Sequence, residues 1–136
     1  MLSRRKSRIL VFQSLYSWEF NKQERETLLS FPWYEYSGSE RSANLTFSRF
    51  LLNGIMTNIS KIDEIITQKL EHWDFDRLGK VELSILRLGV YELLHNREIP
   101  RQVIINEAIE IANMFASPQT FRIINGVLDA VEEEKC

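Results

Sequence analysis

The run Asn58-Ile59-Ser60-Lys61-Ile62-Asp63-Glu64-Ile65-Ile66-Thr67-Gln68-Lys69-Leu70-Glu71-His72-Trp73 decides the fold class. Ile59, Ile62, Ile65, Ile66, Leu70 and Trp73 recur at steps of three and four, which gathers them on one face of a helix. Lys61, Glu64 and Gln68 fall off that face. The same period extends in both directions. Upstream it predicts a helix from about Arg4 to Phe20 and another from about Leu45 to Met56, with Phe47, Phe50, Leu51 and Ile55 inward. Asn21 followed by Glu24 reads as a cap with its acid three residues on, so a short helix is expected over roughly 22–34. Ser37, Gly38, Ser39, Arg41, Ser42 and Asn44 then form a polar loop.

Downstream, the stretch from Gly79 to Leu94 is apolar nearly all round, the pattern of a helix in the middle of a bundle. Gly89 within it costs about 1 kcal/mol of helix propensity relative to Ala, so a neighbour is expected to approach closely there. The next helix, about 102–115, should bury Val103, Ile104, Ala108, Ile111, Ala112 and Phe115, leaving Asn106, Glu110 and Asn113 on a polar arc. Ser117 and Pro118 read as an N-cap and first-turn proline for a last helix reaching about Glu134, with Phe121, Ile124, Val127, Leu128 and Val131 inward. No segment alternates apolar and polar residues over strand length between hairpin turns. The expectation is an all-α, single-domain bundle of about six or seven helices spanning 1–136, since 136 residues at 44% hydrophobic content suit one core.

Several function classes fall away. The five glycines, at 38, 54, 79, 89 and 126, are isolated, so no loop of the kind that cradles phosphates is present. His72 and His95 are the only histidines, and Glu92 with His95 makes a single Glu-x-x-His spacing that no second pair completes. Asp74 and Asp76 read as turn residues at a helix end. The chain is therefore read as a non-enzyme without cofactor or metal. Its one cysteine, Cys136, leaves no intrachain disulfide. It shows neither an apolar run of about 18 residues nor a secretory signal core, so a cytoplasmic protein is expected, with no membrane partner.

Charge is informative once divided along the chain. Residues 1–8 hold Arg4, Arg5, Lys6 and Arg8 and no acid; taking those four charges from the overall −2 leaves −6 on the other 128 residues. Arg4 and Arg8 share a helical arc with Phe12 and Leu15, so the first two turns are expected to overhang the core. Cations at a helix N-terminus oppose the macrodipole, at about 0.3–1 kcal/mol each, and no acid within four residues compensates. Forked guanidinium donors in such a setting suit phosphate contacts, pointing to nucleic acid.

The arrangement Arg4-Arg5-Lys6-Ser7-Arg8 followed by Gln13-Ser14-Leu15-Tyr16-Ser17-Trp18 resembles the opening of the NusB family of bacterial transcription antitermination factors. Val81-Glu82, Ile85-Leu86-Arg87, Tyr91-Glu92-Leu93, Ile99-Pro100, Ile105-Asn106-Glu107-Ala108 and Asn125-Gly126-Val127-Leu128-Asp129 follow in the family's order. Residues 21–45 do not match and read as a variable region. The resemblance implies an all-helical fold that binds boxA, a single-stranded RNA element of ribosomal RNA transcripts. It also implies a heterodimer with NusE, a small-subunit ribosomal protein, working with RNA polymerase and other Nus factors. Carried over by position, it places Arg4, Arg5, Lys6 and Arg8, with Arg87 and Arg122, at the RNA, and Tyr16 and Glu82 at the NusE-facing surface. For Tyr16 a core aromatic with its hydroxyl at the edge is an equal reading, and for Glu82 a role at a helix N-terminus is the alternative. In Pro118-Gln119-Thr120-Phe121-Arg122-Ile123, Gln119 stands where the family commonly has an acid and Ile123 where it has an aromatic. Two rivals remain: a protein-binding adaptor or homodimer, and a module acting in ribosomal RNA modification, since a similar domain precedes the catalytic domain of certain ribosomal RNA cytosine methyltransferases.

Overall fold

A helix that is apolar all round can shed that surface only by being surrounded, and Lys80–His95 (α5) is the hub. Every residue from Leu83 to Leu94 is buried. The computed structural model describes residues 3–32, 45–70 and 74–131. Around α5 it places α1 (Arg4–Phe20), α3 (Thr46–Thr57), α4 (Ile59–Lys69), α6 (Arg101–Phe115) and α7 (Thr120–Ala130). A five-residue α2 (Arg25–Leu29) packs on α3, and a 3₁₀ turn, Phe75–Arg77, leads into α5. No strand occurs among the described residues, and their buried side chains form one contiguous core.

Ends are set by local chemistry. Ser3 caps α1, its hydroxyl accepting from the Lys6 amide at 3.0 Å. Arg101 donates to the carbonyls of Leu128 and Asp129, both at 2.9 Å, occupying acceptors that the last turn of α7 leaves open. After α2 the chain turns through Phe31 at φ 49°, left-handed backbone that a bulky residue adopts at a cost of about 1–3 kcal/mol. Full burial of the Phe31 ring offsets that strain.

Some expectations shift. Of the helix expected at 22–34, the described residues form Arg25–Leu29, and Asn21 closes α1 rather than opening α2, its amide bonding the Ser17 carbonyl. Ser117 and Pro118 start a turn that enters α7 two residues later, with Gln119 preceding the first helical residue. Phe50 (60% exposed), Val103 (44%), Phe115 (42%) and Phe121 (41%) do not face inward. Each lies at the rim of its apolar arc, where periodicity alone cannot say whether a neighbour covers it. Trp73, the polar loop at 37–44 and Glu134 lie outside the described residues.

Two glycines set helix separations. A Cβ on Gly89 would lie 2.9 Å from both methyl carbons of Leu128, so α7 crosses α5 at the close approach expected there. On Gly54 it would collide with the Tyr91 hydroxyl oxygen, so that ring fills the side-chain space of α3. Ala ordinarily gains about 1 kcal/mol over Gly inside a helix. Gly54→Ala should instead destabilise by about 1–3 kcal/mol, the cost of overpacking, in chemical denaturation. A gain in stability would show that Tyr91 moves aside freely.

Candidate nucleic-acid interface

The basic segment occupies the first turns of α1, and its four cations have different surroundings. Arg4 is exposed and its guanidinium stacks 3.8 Å from the centre of the Phe47 ring on α3. A cation over a ring face is held by the ring's quadrupole without using up its N–H donors on an acceptor. Lys6 is exposed. Arg5, its side chain 49% exposed, forks onto Glu107 of α6, with Nη2 at 2.8 Å and Nε at 3.1 Å from Oε2. The hydrogen bonds and charge of Glu107 hold the Arg5 guanidinium above its ordinary pKa.

Arg8 is buried. Its side chain retains 5% exposure, and it makes a bidentate pair with Glu92 of α5, Nε to Oε1 at 2.6 Å and Nη2 to Oε2 at 3.0 Å. Glu107 lies 3.8 Å from its Nη1, and Asn96 donates to the Glu92 carboxylate at 3.3 Å. The first two turns therefore do not overhang the core. The compensating acids come from α5 and α6, about 84 and 102 residues away in sequence, out of reach of any argument about neighbours within α1.

Arg87 is buried on the other arc of α5. It donates through Nε and Nη2 to Asp63 of α4, both at 2.8 Å, and through Nη1 to Glu19 of α1. Burial opposes the charge of Glu19, but hydrogen bonding and attraction from Arg87, with Lys22 and Lys80 adding to them, hold its carboxyl below the usual range. Burial likewise opposes the charge of Arg87, and its bonds to Asp63 and Glu19 outweigh that. Both Arg8 and Arg87, placed at the RNA by position in the sequence, have their guanidinium groups committed to carboxylates inside the bundle. Arg122 is exposed on the first turn of α7.

Glu82 is half-buried at the N-terminus of α5. Its carboxylate folds back over Gly79 and accepts from the Thr120 hydroxyl at 3.2 Å, tying the start of α5 to the start of α7. Its place in the first turn of α5 also sets its charge near the helix N-terminus. Tyr16 is 38% exposed and sits in a chain of rings: Phe115 on Phe12 at 5.1 Å, Phe12 to Tyr16 at 6.4 Å, and Tyr16 to Phe20 at 5.0 Å. The outer members, Tyr16, Phe20 and Phe115, leave an aromatic strip in solvent. Sequence reasoning missed Glu19, Asp63, Glu92 and Glu107. The signal lay in α5, where Arg87 and Glu92 are the charged residues of the fully buried stretch Leu83–Leu94 and so require partners.

An all-helical bundle with a cationic end and a separate aromatic strip is the layout of a binding protein. The chain belongs to the NusB family, whose model matches residues 5–133. The transcription antitermination protein NusB of Treponema pallidum (strain Nichols) is 42% identical over 130 residues, covering 96% of this chain and 92% of the relative. NusB of T. maritima superposes with a TM-score of 0.82 at 35% identity, covering 94% of this chain and 89% of that one. A crystal structure of the antitermination factors NusB and NusE in complex with double-stranded RNA shares the fold, with a TM-score of 0.77, 24% identity and 93% of each chain covered.

Two outcomes follow from the buried pairs. Removing one partner of a buried, hydrogen-bonded ion pair strands the other charge, so Arg8→Ala or Glu92→Gln should lower unfolding stability by about 3–5 kcal/mol. Full stability of Arg8→Ala would return that side chain to a surface role. The second outcome concerns acid. A carboxyl whose folded pKa is depressed contributes stability that is complete above its unfolded value, about 4.3 for Glu, and is lost as pH falls through the lower folded value. Glu19→Gln should therefore be less stable than the parent at neutral pH, and the two should converge on acidification through that window, read from thermal unfolding against pH.

Proposed function

We propose that this chain is a transcription antitermination factor that holds boxA RNA of ribosomal RNA transcripts as a heterodimer with NusE, by binding and without turnover. The observation that carries the reading is the exposed cationic end of α1 on a NusB-family bundle: Arg4 and Lys6 stand in solvent with forked or ammonium donors available. Phosphate neutralisation by such groups supplies affinity, while contacts to unstacked bases supply specificity. The name of the T. pallidum relative supports the antitermination role, and the solved neighbour, an assembly of NusB and NusE with double-stranded RNA, supports an RNA and a NusE partner. Among the described residues no helix is long and apolar enough to cross a membrane, and no cluster of His, Cys, Asp and Glu could hold a metal ion.

Within this reading the RNA contacts are Arg4 and Lys6, with Arg122 as a further cation and Arg5 in reserve. Arg8 and Arg87 act indirectly, by fixing α1 and α4 to α5. The aromatic strip around Tyr16 is the NusE-facing surface, since exposed rings in a contiguous patch are what protein interfaces use as anchors. Glu82, which the family resemblance assigns to the same partner, braces the α5–α7 junction.

Two exposed phosphate contacts give a slope of log K against log salt near −1.4, at about −0.7 each for single strands. The double variant Arg4→Ala/Lys6→Ala should flatten that slope by about the same amount while leaving thermal stability nearly unchanged. The titration is run with boxA-like single strand, a scrambled strand and a duplex. An unchanged slope would remove the tip from the interface and pass its role to Arg122. In a parallel measurement Tyr16→Asp should weaken NusE binding by tenfold or more and leave RNA binding by the isolated chain intact. Equal loss of both would merge the two surfaces into one.

A further inference from the structure

The charge on the basic tip is partly cancelled from within. Of its four cations, Arg8 is neutralised by Glu92 and Arg5 by Glu107, so the net local charge is +2 where the sequence shows +4. The two pairs differ in how firmly they are held. Arg8 and Glu92 are both buried, with side-chain exposures of 5% and 2%. In the other pair Glu107 is 16% exposed and Arg5 49%, so the carboxylate is set into the wall and the guanidinium lies outside it.

Glu107 cannot follow Arg5 outward. Its Oε1 lies 3.8 Å from Arg8 Nη1, and Arg8 is itself anchored by Glu92. Glu110, one turn further along α6, also acts on Arg5 as a negative charge. Arg5 is therefore the movable member of the pair. Its forked donors, which now meet two carboxylate oxygens, have the geometry that two phosphate oxygens would also satisfy.

We propose that Glu107 is a resident counter-anion that competes with RNA phosphate for Arg5, setting the affinity of the tip below what its four cations could reach. The proposal rests on the reading of the tip as an RNA contact. The exchange is electrically neutral: when Arg5 moves from Glu107 to a phosphate, the phosphate releases a bound cation and the bared carboxylate attracts one. Arg5 thus contributes little to the salt dependence while Glu107 is present. Competition from Glu107 also weakens the hold on any RNA, matched or not, because phosphates carry no sequence.

The test measures the dissociation constant of a boxA-like RNA strand against salt for the full chain, with thermal unfolding recorded for each variant. Glu107→Gln frees Arg5 without removing its bulk; it should raise affinity several-fold at low salt and steepen the slope by about 0.7, one phosphate's worth. Glu107→Asp, which keeps the charge but shortens its reach, should give a smaller gain and guards against a Gln variant that folds poorly. Adding Arg5→Ala to Glu107→Gln should abolish the gain. A gain that survives loss of Arg5 would mean that only bulk charge changed, and would overturn the pairing mechanism. Weaker or unchanged RNA binding in a stably folded Glu107→Gln would also overturn it, showing that Glu107 orients Arg5 or leaves it unaffected. Arg4→Ala/Lys6→Ala separates the two levels: if that variant loses affinity while Glu107→Gln changes nothing, the interface stands and the competition fails. If it leaves affinity unchanged, the interface reading fails first.

Discussion

The pairing of α1 with α5 through two buried ion pairs is the constraint on which the remaining structure depends. Arg8, early in α1, meets Glu92, late in α5, and Glu19, at the far end of α1, meets Arg87, earlier in α5. The order is antiparallel and fixes register as well as direction. An apolar contact can be re-formed one turn away with other apolar side chains, whereas displacement by one turn here would leave up to four charges without partners in a medium that solvates them poorly. Asp63 extends the same logic to α4 by sharing Arg87, and Lys80 and Lys22 close the outer side of Glu19.

That register has a consequence for binding. The anchoring of Arg8 to Glu92 determines where the first turn of α1 stands relative to α3 and α6, and so presents Arg4 over Phe47 and Arg5 beside Glu107. A basic helix end detached from the core would be a mobile cationic tail that pays an ordering cost on binding. Here the helix is capped by Ser3 and tied down one turn later, so its exposed donors are held on a rigid frame. The aromatic strip is positioned by the same helix: Phe12 is buried against Phe115, and Tyr16 and Phe20 continue along α1 into solvent. One helix thus carries cations at its start and rings along its length.

The sequence by itself determined the helical class, the limits of α1, α3, α5 and α6 to within two residues, and the central place of α5. Those properties follow from period and composition, which are local. It also determined the family, because six short segments in a fixed order carry more information than any one of them. What it left open was the partner of each charge. A carboxylate 84 residues from Arg8 gives no local signal, so four cations within five residues read as one surface cluster when one of them is a core residue and another is already paired. The same limit explains Phe50, Val103, Phe115 and Phe121, which share a helical period with buried residues but keep two-fifths or more of their surface in solvent. Periodicity reports which face a side chain is on, and only tertiary packing decides whether that face is covered and which distant charge compensates a buried one.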